Sequence, residues 1–258
     1  MLSTIAAENL AKDVRVQGEK WFETYSGWFA DQDNMRIFTN SVIRSGLLPQ
    51  RPLEILYIGS ASGALGEELL RTLGNGHLTL VDVSQKHLEL NTNPETTKLL
   101  LDVVNMDLRM KFDVIMMRSF LDYFPSRKKQ IAVLRTVKKH LASGGVFINQ
   151  PAYISDHEAR NLISRAYCSV PSVGRRLFQS SDLGRLYSRA GLGLPIRYGE
   201  GKLMRITEKD HISRYGITPS DIATIQSIVA DTKHFAEVTE NGYALTFEFP
   251  IFMTPYWH

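Results

Sequence analysis

Through residues 1–150, short continuous apolar runs alternate with helically spaced apolar residues, and Gly, Pro, Asn or Ser marks most of the changes. Residues 55–58, 78–81, 98–104, 112–117 and 146–148 are runs of strand length. The fourth is near-continuous, which predicts a strand buried on both faces. Between the runs, Glu67 to Leu70 looks helical, residues 85–90 read as a short helix stopped by Asn91 and Pro94, and residues 126–140 form a longer one. In that longer segment Ile131, Leu134, Val137 and Leu141 recur at helical spacing. Strands and helices alternating at this rhythm predict βαβ units, right-handed crossovers and a parallel sheet.

Outside this block the order differs. Residues 1–46 read as helix and carry Trp21, Phe22, Tyr25, Trp28 and Phe29. Ser155 and Glu158 form a capping-box pattern that predicts a helix to about Val170, and residues 181–190 predict another. Residues 194–206 are strand-like, with Gly199 and Gly201 in a turn or bulge. Thr218 followed by Pro219 starts a further helix to about Thr232. Asn241 and Gly242 between strand-like runs predict a hairpin leading into residues 243–250.

Candidate chemistry gathers at the carboxyl ends of the predicted strands, where α/β sheets bind ligands. After the first strand come Gly59, Ser60, Ala61, Ser62 and Gly63, small residues that let a ligand approach the backbone, with a helix N-terminus behind them. The second strand ends in Asp82, 23 positions after Gly59. A carboxylate about 20 residues past a glycine turn is placed to accept from ribose hydroxyls. The segment therefore reads as a nucleoside-cofactor site.

The spacing of Gly59, Ala61 and Gly63, followed by Asp82, Val83 and Ser84, resembles the first two motifs of class I S-adenosylmethionine-dependent methyltransferases. Two positions depart from that pattern: Tyr57 stands where the family usually has an acid, and Ala61 replaces the middle glycine, a change expected to be sterically mild. The resemblance implies a seven-stranded, mostly parallel sheet with an antiparallel last strand and helices on both faces. It implies S-adenosyl-L-methionine as cofactor, with Gly59, Ser60, Ala61 and Gly63 around the amino-acid end and Asp82 with Val83 at the ribose. Asp102, with Val103 as apolar neighbour, stands where the family has an acid facing adenine, and Asp107 is the runner-up. Arg118 and Tyr25 complete the expected cofactor contacts. The segment 118–124 stands at the floor near the transferable methyl, which makes Asp122 a candidate base and Tyr123 a candidate acceptor contact. It lacks the Asn/Asp-Pro-Pro-aromatic motif of amide and nucleobase-amine methylation, so oxygen or carbon of a small molecule is favoured as acceptor.

Composition narrows the alternatives. The chain has 258 residues, enough for one large α/β domain, and a single cysteine, Cys168, which excludes a disulfide framework and a Cys-rich zinc site; no metal is expected. Thirty basic residues against 27 acidic ones, a net charge of +3, do not point to nucleic acid, and the cations of residues 127–139 read as a solvated helix face. No apolar stretch has membrane-spanning length and the start lacks a secretory pattern, so the cytoplasm is the expected compartment. The expected lid comprises the N-terminal cap (1–48) and inserted helices in 151–180 and 207–233, with Trp28 walling the acceptor and His157 as a further candidate substrate contact, where a base could sit. Two competing readings are a methyltransferase fold that no longer methylates and an NAD(P)-dependent oxidoreductase.

Overall fold

The computed structural model describes residues 27–124, 126–170, 173–178, 180–232 and 234–256. Trp21, Phe22 and Tyr25 lie outside the described residues. The expected N-terminal helix is interrupted: Asp31 accepts a hydrogen bond from the Asn34 amide at 2.7 Å, capping a new helix, α1 (Gln32–Arg44).

The predicted alternation follows as β1 (Leu53–Ile58), α2 (Ala64–Leu73), β2 (Gly76–Asp82), α3 (Gln85–Glu89), β3 (Thr97–Leu100), β4 (Phe112–Arg118), α4 (Arg127–His140) and β5 (Leu141–Gln150). Then come α5 (His157–Ser169), α6 (Ser180–Ala190), β6 (Ile196–Glu200), β7 (Met204–Thr207), α7 (Glu208–Tyr215) and α8 (Pro219–Val229). The chain continues with β8 (Ala236–Thr239), β9 (Gly242–Phe247) and β10 (Pro250–Pro255). Seven strands form the main sheet in the order β3-β2-β1-β4-β5-β10-β6, with β10 antiparallel to both neighbours and the strands from β3 to β5 parallel. Every residue of β4 is buried, as its continuous apolar run predicts.

Side chains alternate across the sheet. Ile55, Tyr57, Val114, Met116 and Ile148 pack with Phe38 of α1 and Leu69 of α2 on one face. On the other face, Leu56, Ile58, Ile115, Met117 and Phe147 pack with Leu134 and Val137 of α4 and Leu183 and Tyr187 of α6. The opposite side of α4 exposes Lys128, Lys129 and Arg135, the solvated face expected from the sequence.

Three local expectations are corrected. The antiparallel last strand is residues 250–255, not 243–250; the hairpin at Asn241 and Gly242 forms, but β8 and β9 join β7 in a separate antiparallel sheet ordered β7-β9-β8. The strand-like stretch 194–206 is two strands in two sheets, β6 and β7. Helix α5 is capped by Asp156, whose side chain accepts from the Ala159 amide at 2.7 Å, rather than by Ser155. The segments flanking the second expected insertion, 207–233, thus supply a sheet. It has its own core, in which Leu245 and Phe247 meet Ile163 and Tyr167 of α5 and Ile225 and Val229 of α8. Among the described residues, no helix is long and apolar enough to cross a membrane.

Candidate active site

The register of the three central strands sets up the site. Ile58 stands opposite Val81 on one side and Met117 on the other, so the residues that follow β1, β2 and β4 emerge side by side. The order reverses around β1, the switch point where open α/β sheets form their crevice. The chain leaves β1 by a turn in which the amides of Gly59 and Ser60 both donate to the Val81 carbonyl, at 2.8 and 3.2 Å. Gly59 and Gly63 have φ of 65° and 77°, and a Cβ on either would overlap Phe120 or Leu80 respectively. Both positions therefore require glycine.

Ala61, between them, also has a positive φ, 49°. The substitution in the middle of the motif is thus a strained one, contrary to the sequence expectation of a mild change. Its amide donates to Oδ2 of Asp82 at 2.9 Å, which holds the strained residue in place. Ala61→Gly is expected to stabilise the protein by about 1 kcal/mol, read as a shift of the denaturant midpoint. An unchanged or lower midpoint would show that the left-handed backbone at this position carries no cost.

Asp82 is nearly buried, and its second oxygen, Oδ1, accepts from the Ser84 amide at 2.9 Å. Ser84, not Asp82, caps α3, by accepting from the His87 amide. An ionised carboxylate has about four lone-pair sites, so one backbone bond on each oxygen leaves capacity for two more donors. The loop is braced from behind by Glu67 on α2, which accepts from Asn91, Asn93 and Thr96 at 2.8, 2.9 and 2.6 Å. Burial pushes the Glu67 carboxyl upward, but these three donors outweigh it and hold the group below its ordinary range.

Asp102 lies just past β3, not within it; its Oδ1 accepts from the Val104 amide and starts a single helical turn. Val103 faces inward among the core residues beneath α4, which makes it a support for this turn rather than an open wall. The runner-up acid, Asp107, is exposed and paired with Lys139 at 2.8 Å.

Arg118 ends β4 and is 5% exposed. Its guanidinium lies 4.9 Å from the rings of both Trp28 and Phe29, and Nη1 donates to the Phe29 carbonyl at 2.9 Å. Burial lowers its pKa to about 10, so it remains a cation at neutral pH. Nε and Nη2 are buried with no hydrogen-bond partner among the described residues. A buried cation with unused donors is costly unless a ligand completes it. The amino-acid carboxylate of S-adenosylmethionine would supply the charge and acceptors these donors lack, and Asp82 with the glycine turn would suit its ribose and amino-acid end. The residues present therefore fit the cofactor.

Beyond Arg118 the chain turns at Ser119, which has φ of 46°, and Phe120 lays its ring over Gly59. Ser119 and Tyr123 then line a small cavity closed on its far side by Met204, Ile206 and Phe247 of the second sheet. Asp122 is corrected as a candidate base. Its side chain is wholly buried, and Oδ2 accepts from both Nε and Nη2 of Arg175, so it serves as an ion-pair partner. His157 is also corrected: it is exposed at the start of α5, hydrogen-bonded to Asn161, and does not line the cavity. Trp28 packs against Phe29 and Phe249 and donates to the Leu203 carbonyl; its neighbour Phe29 is the one that reaches the cavity. Arg175 and Arg214, which line the same cavity, escaped the sequence reading. Thr207 and Asp210 form a reciprocal capping box that announces α7, the helix carrying Arg214, and this signal was available.

The methyltransferase-domain family model matches residues 56–147, the stretch from β1 to β5. A comparison with curated protein sequences finds no match. Among solved structures, the YcgJ protein of Bacillus subtilis is similar at a TM-score of 0.67 with 14% identity, over 85% of this chain and 98% of that one. Magnesium protoporphyrin IX methyltransferase of Synechocystis, solved with S-adenosylhomocysteine, gives 0.52 with 12% identity, over 95% of this chain and 86% of that one. The plantazolicin methyltransferase BpumL, in complex with a monoazolic analogue and S-adenosylhomocysteine, gives 0.52 with 14% identity, over 99% and 100%. At such identities the likeness is one of fold, and it agrees with the strand order and with the matched domain. Residues 56–147 of this chain thus match a methyltransferase-domain model, and the sheet they build has the fold of the methyltransferase structures it resembles.

Proposed function

We propose that the protein methylates oxygen or carbon of a small, partly apolar acceptor that binds between the tip of β4 and the second sheet. When bound, S-adenosylmethionine supplies an activated methyl: an acceptor lone pair or carbanion bonds to that carbon as the carbon–sulfur bond breaks and its electrons return to sulfur. The protein's part is positioning and the exclusion of water. Asp82 would orient the ribose, Asp102 would face the adenine, Arg118 would hold the carboxylate, and residues 59–63 would lie along the amino-acid end. The second sheet, with α5, α7 and α8, is the lid over the acceptor. No base is assigned, because no carboxylate among the described residues lines the cavity and Asp122, behind Arg175, is committed to it. An acceptor already anionic, or acidified by its own chemistry, needs none.

The observation that carries this reading is the pair of incomplete groups at the ends of the two strands flanking β1, Asp82 with spare acceptor sites and Arg118 with two donors that have no partner among the described residues. Calorimetric titration with S-adenosylmethionine, S-adenosylhomocysteine, NAD and NADP tests it. Micromolar affinity for the first two alone is the expected result. Binding of neither would leave a fold without the activity, and selective binding of a nicotinamide cofactor would replace the reading altogether.

A further inference from the structure

The cavity beside β4 has a polar side with a single chemical character. Arg175, between α5 and α6, and Arg214, on α7, both reach it and are 4% and 1% exposed. Two hydroxyls lie beside them. Ser119 Oγ accepts from Arg175 Nη2 at 3.1 Å, and the Tyr123 hydroxyl accepts from Arg214 Nη2. A hydroxyl that accepts from a guanidinium has its own proton left to give. Burial keeps that proton on Tyr123, whose pKa is pushed up to about 12. The polar side of the cavity therefore consists of donors, and among the described residues no carboxylate lines it. The nearest one, Asp122, stands behind Arg175. The remaining wall is apolar and includes Phe29 and Phe247.

His211 reports the same field. Burial first, then Arg175 and Arg214, lower its pKa to about 3, which keeps the ring neutral. Burial opposes charge of either sign; the part of the shift that comes from Arg175 and Arg214 is the part an anion would gain from.

We infer that the acceptor of this methyltransferase carries a carboxylate on an apolar body, and that Arg175, Arg214, Ser119 and Tyr123 receive the carboxylate while the aromatic wall receives the body. This deepens the proposed function and rests on it, since Ser119 precedes Phe120, the residue that covers the glycine turn. Two guanidiniums, that of Arg175 already paired with Asp122, and two hydroxyls present donors that match a planar, acceptor-only group. A neutral amide of the same shape presents an NH2 to donors on every side and is rejected. The cavity as it stands, at about 10 Å³, holds about one water molecule, so entry of the body requires the wall of β7 and β9 to move outward.

Benzoate and benzamide, which differ only in this group, are the probes. Each is titrated calorimetrically into the wild-type protein, with and without saturating S-adenosylhomocysteine, and into Arg214→Gln. Benzoate is expected to bind wild type at least about tenfold more tightly than benzamide, and Arg214→Gln to lose about tenfold of the benzoate affinity while keeping that for S-adenosylhomocysteine. Equal affinities for the two probes, no benzoate binding at all, or undiminished benzoate affinity in a folded Arg214→Gln overturns the inference. The wild-type comparison decides the matter if the variant does not fold. Loss of S-adenosylhomocysteine binding by wild type would sink the methyltransferase reading instead, and the benzoate-to-benzamide ratio without cofactor would still test the cavity.

Discussion

Asp82→Ala will lose about a hundredfold of the affinity for S-adenosylhomocysteine, measured by calorimetry, and the melting profile will remain cooperative. Each hydrogen bond from a ribose hydroxyl to an ionised carboxylate is worth about 1.5–3 kcal/mol, so losing two at the low end of that range, about 3 kcal/mol, accounts for a change of that size. The same carboxylate holds the strained turn, because Oδ2 takes the Ala61 amide and Oδ1 the Ser84 amide. The variant will therefore also lose about 1–2 kcal/mol of stability, a cost limited because water can reach the crevice. Asp82→Asn separates the two roles. It keeps one oxygen for a backbone donor but turns an NH2 toward the other, and loses the charge, so its affinity should fall between those of wild type and alanine. Unchanged affinity in Asp82→Ala would remove the ribose assignment and leave Asp82 as a brace for the turn.

That the segment from β1 to Asp82 was legible in the sequence has a physical reason. A buried parallel strand needs a continuous apolar run, and a turn against a neighbouring ring or Leu80 needs glycine, and both demands are local. The backbone of Ala61 was not legible, because alanine is allowed almost anywhere and only closure onto Asp82 forces its φ positive. Asp122 was misread for a related reason. Its sequence neighbours place it at the tip of β4, where a base belongs, but the partner that occupies it, Arg175, comes from 53 residues further on. The hairpin at Asn241 and Gly242 was readable from its turn, while the sheet it joins was not, since strand partners are chosen by long-range packing. Arg214 combines both problems: its helix has a readable cap, but nothing near it in sequence says that its side chain meets Tyr123.

A second large effect is expected in mild acid. His211 is 1% exposed, with Nε2 3.0 Å from the Tyr167 hydroxyl and Nδ1 2.7 Å from the Tyr243 hydroxyl. In the neutral ring one nitrogen donates and the other accepts, and the two tyrosine hydroxyls can meet both roles. The folded-state pKa, about 3, lies below the ordinary value of 6.5. The unfolded chain therefore takes up a proton that the folded one refuses, and stability falls as the pH drops below about 6.5, by about 1.4 kcal/mol per unit. Between about pH 7 and pH 5 this one residue should cost about 2 kcal/mol. The groups packed around it are Tyr167 on α5, Tyr215 on α7, Tyr243 on β9 and the guanidiniums of Arg175 and Arg214. Tyrosine and arginine do not titrate in that interval, so the loss belongs to the histidine. Glu67 is depressed instead of raised, so its contribution is present above the ordinary glutamate value of 4.5 and is lost only at lower pH, outside the interval. His211→Gln offers one donor and one acceptor without a titrating ring, so it should flatten the stability curve between about pH 7 and pH 5 by about 2 kcal/mol relative to wild type. Denaturant midpoints for both proteins at the two pH values decide this, the remaining histidines being common to both. If wild type and His211→Gln lost stability in parallel, the ring would have to reach solvent or gain a carboxylate when protonated, and the positive field around the cavity would lose its internal witness.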